Sequence, residues 1–318
     1  MRIGLDVMGG DFAPKAAVEG AILAHKSFNA DDRIVLFGDA EAIKKELAEQ
    51  NANVADFEIQ HTSQTIEMSE HPTKAFKSKP DSSITKGFMM LKSGQIDAFA
   101  SAGNTGAMLV GSIHAVSTVE GITRPATAAV FPRVGGGNNI ILDVGTNVDT
   151  KPENLFEFAI LGKLYAEYVF HVDEPKVGLL SIGAEKEKGN IATKSAYHLL
   201  ENARTFTFAG NVEGRDLFRD KADVIVCDGF TGNVALKQAE SFYRIMTKRG
   251  IKDDYLARFN YENYGGTPVL GTNAPVMVGH GISNARAFKN MILHSREMVM
   301  AELPSKIERS VVKNIQNR

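Results

Sequence analysis

Short apolar runs alternating with helix-period segments constrain this chain more than any other feature. The runs fall at 2–7, 33–37, 57–60, 96–100, 126–131, 138–144, 176–182, 205–208 and 223–228. Amphipathic stretches at 14–27, 40–50, 154–169, 192–203 and 232–248 lie between them. In the first stretch Ala17, Gly20, Ala21 and Ala24 recur at i, i+3, i+4 and i+7, a small-residue face suited to close packing on a sheet. Pro14 suits a first helical turn, where its missing N–H is not needed. Such alternation implies a doubly wound α/β fold, a mainly parallel sheet covered on both faces. No repeat, low-complexity tract or linker divides the 318 residues, so a single two-lobed α/β domain over 1–318 is expected.

In folds of this class ligands bind outside the carboxyl ends of the strands. The loops there are "DVMGGDFAP" (6–14), "SAGNTGA" (101–107), "DVGTNVD" (143–149), "IGAEKEKGN" (182–190), "CDGFTGNVALK" (227–237) and "YGGTPVLG" (264–271). Glycine lets backbone approach a ligand closely, and a helix starting directly afterwards offers free N–H groups to an anion. One Gly/Asn turn is usually only a turn. Several along one sheet edge point to a shared polar cleft.

Other function classes recede on composition and spacing. A formal net charge of −2 gives no basic field for nucleic acid, and the apolar runs are too short to span a bilayer. The opening "MRIGLDVMGG" meets an acid at Asp6, unlike the apolar core of a signal peptide. The single cysteine, Cys227, excludes an intramolecular disulfide and a multi-cysteine zinc site, and the eight histidines show no metal-ligand spacing. No GxxxxGK[ST] is present, and "MGGDFAP" after the first strand is not a GxGxxG dinucleotide turn. A soluble, cytoplasmic protein is the expectation.

The motifs "LDVMGGDFAPKAAVEG", "SAGNTGAM", "RPA", "DVGTNVDTKPENL", "SIGAEKEKGN", "GFTGNVALK" and "YGGTPVLG…HGISNARAFKNMI" stand collinear over roughly residues 1–302. In these the chain resembles the bacterial phosphate acyltransferases of phospholipid synthesis, the acyl-ACP:phosphate transacylases. The resemblance implies a fold related to phosphotransacetylases and isopropylmalate-type dehydrogenases, and a homodimer. It implies conversion of acyl-acyl carrier protein plus inorganic phosphate to acyl phosphate, with no metal or redox cofactor. A membrane acyl-phosphate:glycerol-3-phosphate acyltransferase would accept the product. A fainter likeness to phosphotransacetylases places "GNVALK" at their Gly-Asn…Lys turn and "GHGISNA" at a phosphate- and thiol-handling loop. One stretch departs from the family: the segment 238–263 is short and polar where members often carry a longer apolar and basic insert. That segment is expected to be helical, at a dimer or carrier-protein surface, with the protein either free in the cytoplasm or peripheral at the membrane.

The implied reaction is attack by a phosphate oxygen on a thioester carbon, through a tetrahedral oxyanion, releasing a thiolate. Phosphate is already anionic near neutral pH and a thiol pKa is about 8.5, so binding and oxyanion stabilisation outweigh acid–base help. The amides of Asn104, Thr105 and Gly106, with the Asn104 and Thr105 side chains, are the phosphate-site candidates, the rival being a capped helix that satisfies its own N–H groups. Asn190 and Asn233 each follow glycine (Asn233 after Gly232, Asn190 after Gly189) and suit a second donor set. A cation must balance phosphate. Lys188 and Lys237 are the candidates, with Arg124 behind them; the rival readings are a solvated charge run for Lys188 beside Lys186, and a sheet-edge cap or an acid pair for Lys237. His280, between glycines and before a helix, is the candidate proton donor to the thiolate, or donor to phosphate.

Asp6, Asp143 and Glu185 would repel phosphate and are read as holding loops or lysines. Gly9, Gly10 and Asn147 belong to the same loop-orienting or acyl-site set, and Asp11 with them, unless it caps the helix near Pro14. Arg244, Lys248 and Arg249 form a basic face for an acidic carrier protein, beside an apolar stripe of Ala239, Phe242, Tyr243 and Met246 read first as dimer packing. A covalent route through Cys227 is weaker, since a lone cysteine ending an apolar strand reads as a buried small hydrophobe. The rivals to acyl transfer are a dehydrogenase, which needs a dinucleotide site this sequence lacks, and a silent phosphate- or carrier-binding regulator. Acetyl-CoA is the alternative donor.

Overall fold

The computed structural model describes residues 1–316. In chain order the strands are β1 (Arg2–Asp6), β2 (Arg33–Gly38), β3 (Phe57–His61), β4 (Ala98–Ser101), β5 (Ala126–Pro132), β6 (Asn138–Leu142), β7 (Lys176–Leu180), β8 (Thr207–Val212), β9 (Val224–Val226), β10 (Thr267–Leu270) and β11 (Val276–Val278). The helices are α1 (Lys15–His25), α2 (Ala40–Glu49), α3 (Pro72–Ser78), α4 (Ser83–Lys92), α5 (Thr105–Gly111), α6 (Pro152–Tyr168), α7 (Ile191–Glu201), α8 (Gly229–Lys248), α9 (Asp254–Ala257), α10 (Ala285–Met300) and α11 (Leu303–Gln316). Two compact units form, one from Met1–Ser117 with Tyr261–Glu302, the other from Thr118–Asn260 with Leu303–Gln316.

In the first unit the strand order is β3-β2-β1-β4-β11-β10. Every pairing is parallel except that of β10 with β11. Ile3, Leu5, Ile34, Leu36 and Phe37 are buried, the near-continuous apolar filling of strands covered on both faces. Phe37, Phe88 and Phe99 meet edge-on, with centroids 5.6 Å apart for Phe37–Phe99 and 5.2 Å for Phe88–Phe99. The small face of α1 makes its closest approach to a helix, not to the sheet. A Cβ at Gly20 would lie 2.3 Å from the Phe288 Cβ of α10.

In the second unit the order is β5-β6-β9-β7-β8, with β5–β6 antiparallel and the rest parallel. The core centres on Phe131, Ile141, Val212, Leu217 and Ile225. Helix α6 buries Phe158, Leu161 and Tyr165.

The architecture is the doubly wound, mainly parallel α/β fold expected, with three local departures. Strand β10 stands where "YGGTPVLG" reads as loop, its glycines and Pro268 masking it, and its short partner β11 falls outside every apolar run read from the sequence. Strand β8 starts later and runs longer than 205–208. Gly210, at φ +81°, sits where the β7–β8 register shifts, so an apparent turn is a bulge inside the strand. Strands β6, β7 and β9 stop short of 144, 182 and 228, which hands Asp143, Ser181 and Cys227 to the loops.

Candidate active site

In the first unit three loops are tied together beyond β1, β4 and β11. Asp6, at the end of β1, is buried. Its carboxylate accepts from the Ser101 hydroxyl at 2.6 Å and from the Met8 amide at 2.9 Å, and Ser101 Oγ in turn accepts from the Gly103 amide at 2.9 Å. Burial pushes the Asp6 carboxyl above the usual carboxylate range, opposed by these hydrogen bonds. Gly9 is where the two loops cross: a Cβ there would lie 2.5 Å from both Asp6 Oδ2 and the Gly103 nitrogen. Gly10 has φ +101°, and the Asp11 amide donates to the Gly281 carbonyl at 2.7 Å, which joins the third loop. Asp11 does not cap α1, whose N-cap is Pro14 with no side-chain bond. Asp6, Gly9, Gly10 and Asp11 therefore assemble with Ser101, which motif reading passed over although it opens "SAGNTGA".

Asn104 is buried, and its side chain is fully engaged. Its carbonyl oxygen caps α5 at the Ala107 amide (3.0 Å), while its NH2 donates to the carbonyls of Glu67, Met68 and Glu70 at 3.0, 3.3 and 3.0 Å. In this structure the side chain makes the cap and strap of the rival reading. Gly106 admits α3, since a Cβ would lie 2.3 Å from Pro72 Cγ. The exposed Thr105 hydroxyl and the first-turn amides of Thr105 and Gly106 stay outside these contacts. His280 is half-buried, its ring edge-on to Tyr261 with centroids 5.2 Å apart, and the Tyr261 hydroxyl donates to the Ile282 carbonyl at 2.9 Å.

In the second unit Asp143 organises the loop after β6. Fully buried, its Oδ1 accepts from the Thr127 amide (3.0 Å), the Thr127 hydroxyl (2.9 Å) and the Thr146 amide (3.3 Å). Its Oδ2 accepts from the Asn147 amide (2.5 Å) and side-chain NH2 (2.8 Å), and Asn147 also donates to the Pro125 carbonyl at 2.8 Å. Helix α8 docks on this loop through glycines. The Gly229 amide donates to the Asn147 carbonyl at 2.7 Å, and a Cβ at Gly232 would lie 1.9 Å from the Asp143 carbonyl oxygen. The Asn233 side chain lies against Gly145, where φ is +108°. Thr127, within "RPATA", is the member that motif reading missed.

Arg124 is exposed at the rim and donates to the Asp149 carbonyl at 3.3 Å. Lys237, also exposed, pairs with Glu240 at 2.9 Å, the acid-paired alternative for that residue. The loop after β7 is held by its backbone: Asn211 donates to the Glu185 carbonyl at 2.7 Å and Ser181 to the Lys188 carbonyl at 3.1 Å. Asn190 caps α7 at the Thr193 amide (2.9 Å). Lys186 pairs with Glu201, while exposed Lys188 has no carboxylate partner among the described residues. Arg244, Lys248 and Arg249 are exposed together at the end of α8. Of the predicted stripe beside them, Ala239 is buried, Tyr243 and Met246 are half-buried, and Phe242 is 55% exposed. The Cys227 thiol is buried, raised well above its ordinary pKa chiefly by desolvation, and therefore a poor nucleophile.

The sequence model of the family described as "Fatty acid synthesis protein" matches residues 1–306. This chain belongs to that family. Its relatives include a phosphate acyltransferase from Dictyoglomus turgidum, 42% identical with 96% of each chain covered. Another is the phosphate acyltransferase from Thermoanaerobacterium thermosaccharolyticum, 40% identical over 98% of this chain and 97% of that one. Among solved structures, a phosphotransacetylase from Streptococcus pyogenes superposes with a TM-score of 0.64 at 18% identity, covering 94% of each chain. The EutD phosphotransacetylase from Staphylococcus aureus gives 0.63 at 15% identity, with the same coverage. At these identities the likeness establishes a shared fold, the one that family membership leads one to expect.

Proposed function

We infer that this chain is an acyltransferase that moves a fatty acyl group from acyl-acyl carrier protein to inorganic phosphate, giving acyl phosphate for phospholipid synthesis. One observation carries the reading: near-complete, 40–42% identical matches to phosphate acyltransferases. The site chemistry supports it. A phosphate oxyanion attacks the thioester carbon, electrons move to the carbonyl oxygen, and collapse expels the thiolate, which takes up a proton. Orientation contributes about 7–11 kcal/mol at most, and one oxyanion donor about 2.7–4 kcal/mol. In the first unit, Thr105 and the amides of Thr105 and Gly106 receive phosphate, and His280 supplies the thiolate proton or a phosphate contact. In the second unit, taken by itself, Lys188 is the candidate cation, and Asn233 and the Asn190 NH2 are candidate neutral donors to an anion. Asp6, Gly9, Gly10, Asp143 and Asn147 shape the loops and do not touch phosphate.

The basic end of α8 (Arg244, Lys248, Arg249) docks the carrier protein, and the Tyr243 and Met246 side of the same helix packs against a second copy in a homodimer. No helix among the described residues is long and apolar enough to cross a membrane. The product passes to a membrane acyltransferase that uses glycerol 3-phosphate, as the family resemblance implies. The test mixes purified protein with palmitoyl-acyl carrier protein and phosphate and traps acyl phosphate with hydroxylamine. Phosphate-dependent hydroxamate is expected. No product from palmitoyl-acyl carrier protein, palmitoyl-CoA or acetyl-CoA would overturn the reading.

A further inference from the structure

A cavity of about 800 Å3 lies within the second unit, beside the loop after β7 and along α8, a size at which small-molecule sites are found. From α8 it is lined by Thr231, Val234, Ala235, Gln238, Ala239 and Phe242. These positions recur every three or four residues and so form one helix face. From Thr231 to Phe242 that face extends about 16 Å at 1.5 Å per residue. Leu180, Leu217 and Phe218 contribute from β7 and from the segment after β8. Leu217 is part of the unit's core, and Leu180 and Phe218 pack against it, so the wall is built, not incidental.

Apart from the neutral Gln238 side chain, the polar lining residues gather at one end. Ser181 follows β7, Asn190 and Thr193 begin α7, and Asp228 and Thr231 begin α8. Among the described residues Asp228 is the only charged one lining the cavity, and its carboxylate is committed to Thr231, accepting from the amide at 2.7 Å and the hydroxyl at 2.8 Å. Nothing along the helix face balances a phosphate or a nucleotide. An elongated, uncharged, apolar group with a polar head at the strand ends fits the lining.

We propose that this cavity receives the acyl chain of the thioester donor, the carbonyl end beside Asn190 and the methyl end toward Phe242. The proposal rests on the acyl-transfer reading and adds to it the element that selects chain length. Each methylene in the cavity contributes to transition-state binding only while the channel along α8 stays open, so a bulky side chain two turns in excludes long chains and spares short ones.

The test compares Ala239→Phe and Gln238→Trp with the wild type, the second variant being at an exposed position where folding is not at risk. The readouts are kcat/KM for palmitoyl- and butyryl-acyl carrier protein, and displacement of a fluorescent fatty acid by palmitate without phosphate. With two or more methylenes excluded, palmitoyl transfer should fall by about tenfold or more. Butyryl transfer should stay within about twofold, and palmitate binding should weaken in parallel with the palmitoyl loss. An unchanged chain-length profile and unchanged palmitate binding in both variants would overturn the proposal. Equal losses for both donors with dissociation of the protein in sedimentation would also overturn it, and would assign the face to a second copy. Absence of phosphate-dependent product from the wild type would instead overturn the acyl-transfer reading, whatever palmitate binding shows.

Discussion

Replacing Asp143 by asparagine tests whether a buried carboxylate holds the loop after β6 in place. The two oxygens of Asp143 accept five hydrogen bonds, three at Oδ1 from Thr127 and Thr146 and two at Oδ2 from Asn147. Asparagine offers one oxygen. With that oxygen toward Thr127 and Thr146, its NH2 confronts the amide and side-chain NH2 of Asn147, donor against donor; the reverse orientation sacrifices three bonds. Bonds to a charged acceptor contribute about 1.5–3 kcal/mol each, so losing two removes about 3–6 kcal/mol. Relief of the buried charge's desolvation returns part of this, leaving a net loss near 3 kcal/mol. Against a total stability of about 5–15 kcal/mol that is a large fraction. Urea unfolding followed by circular dichroism should show it. Asn147→Ala should cost less alone, and the double variant should lose less than the sum, with a coupling above about 1 kcal/mol. A loss below about 0.5 kcal/mol for Asp143→Asn, the range of a surface substitution, would refute the assignment of the loop's geometry to this carboxylate.

His294 is buried in α10, and desolvation lowers its pKa from the ordinary 6.5 to about 4. The folded state thus resists protonation that the unfolded chain accepts, so stability is full above pH 6.5 and is lost as pH falls toward 4. That amounts to about 3 kcal/mol at 1.36 kcal/mol per pKa unit. Unfolding measured across pH 4–7 should show a shallower slope for His294→Gln, and an identical slope would remove His294 as the cause. Charge reversal at Arg244 and Lys248, both exposed, should raise KM for acyl-acyl carrier protein and leave KM for palmitoyl-CoA unchanged; equal KM values for the wild type and the variant with the carrier protein would remove α8 as its docking face.

The strand-to-helix loops were legible because their punctuation is local. Glycine and asparagine after an apolar run mark the turn wherever the chain goes next, and the loops of Gly9 and Gly145 stand where the motifs put them, whereas "CDGFTGNVALK" is mostly helix because α8 already starts at Gly229. The roles within those loops were not legible in the same way. Asparagine is chosen at a helix N-cap for the same oxygen and NH2 that would recognise a ligand, so Asn104 and Asn190 read identically in sequence. Lys186 and Lys188 were separated only by Glu201, which stands on α7 and cannot be paired with either from spacing in the loop. The cavity along α8 was hidden for another reason. Its opposite wall comes from β7 and the turn after β8, whose separation from α8 in sequence exceeds any periodic window.

Hydrogen-bond capacity then sorts the candidates. Asn104, Asp143 and Asn147 already have their polar atoms matched by partners inside the fold, so removing them must show first as lost stability. Thr105 and Lys188 are exposed, and the structure assigns no side-chain partner to either among the described residues. A phosphate bound at either one would gain new bonds without breaking old ones. Binding energy available to a transition state has to come from groups not already consumed in holding the ground-state fold. On the acyl-transfer reading, the phosphate contacts are therefore expected mainly from main-chain amides and the few uncommitted side chains. The buried polar cluster around Asp143 acts on the reaction only through the positions it gives to the loop residues it holds.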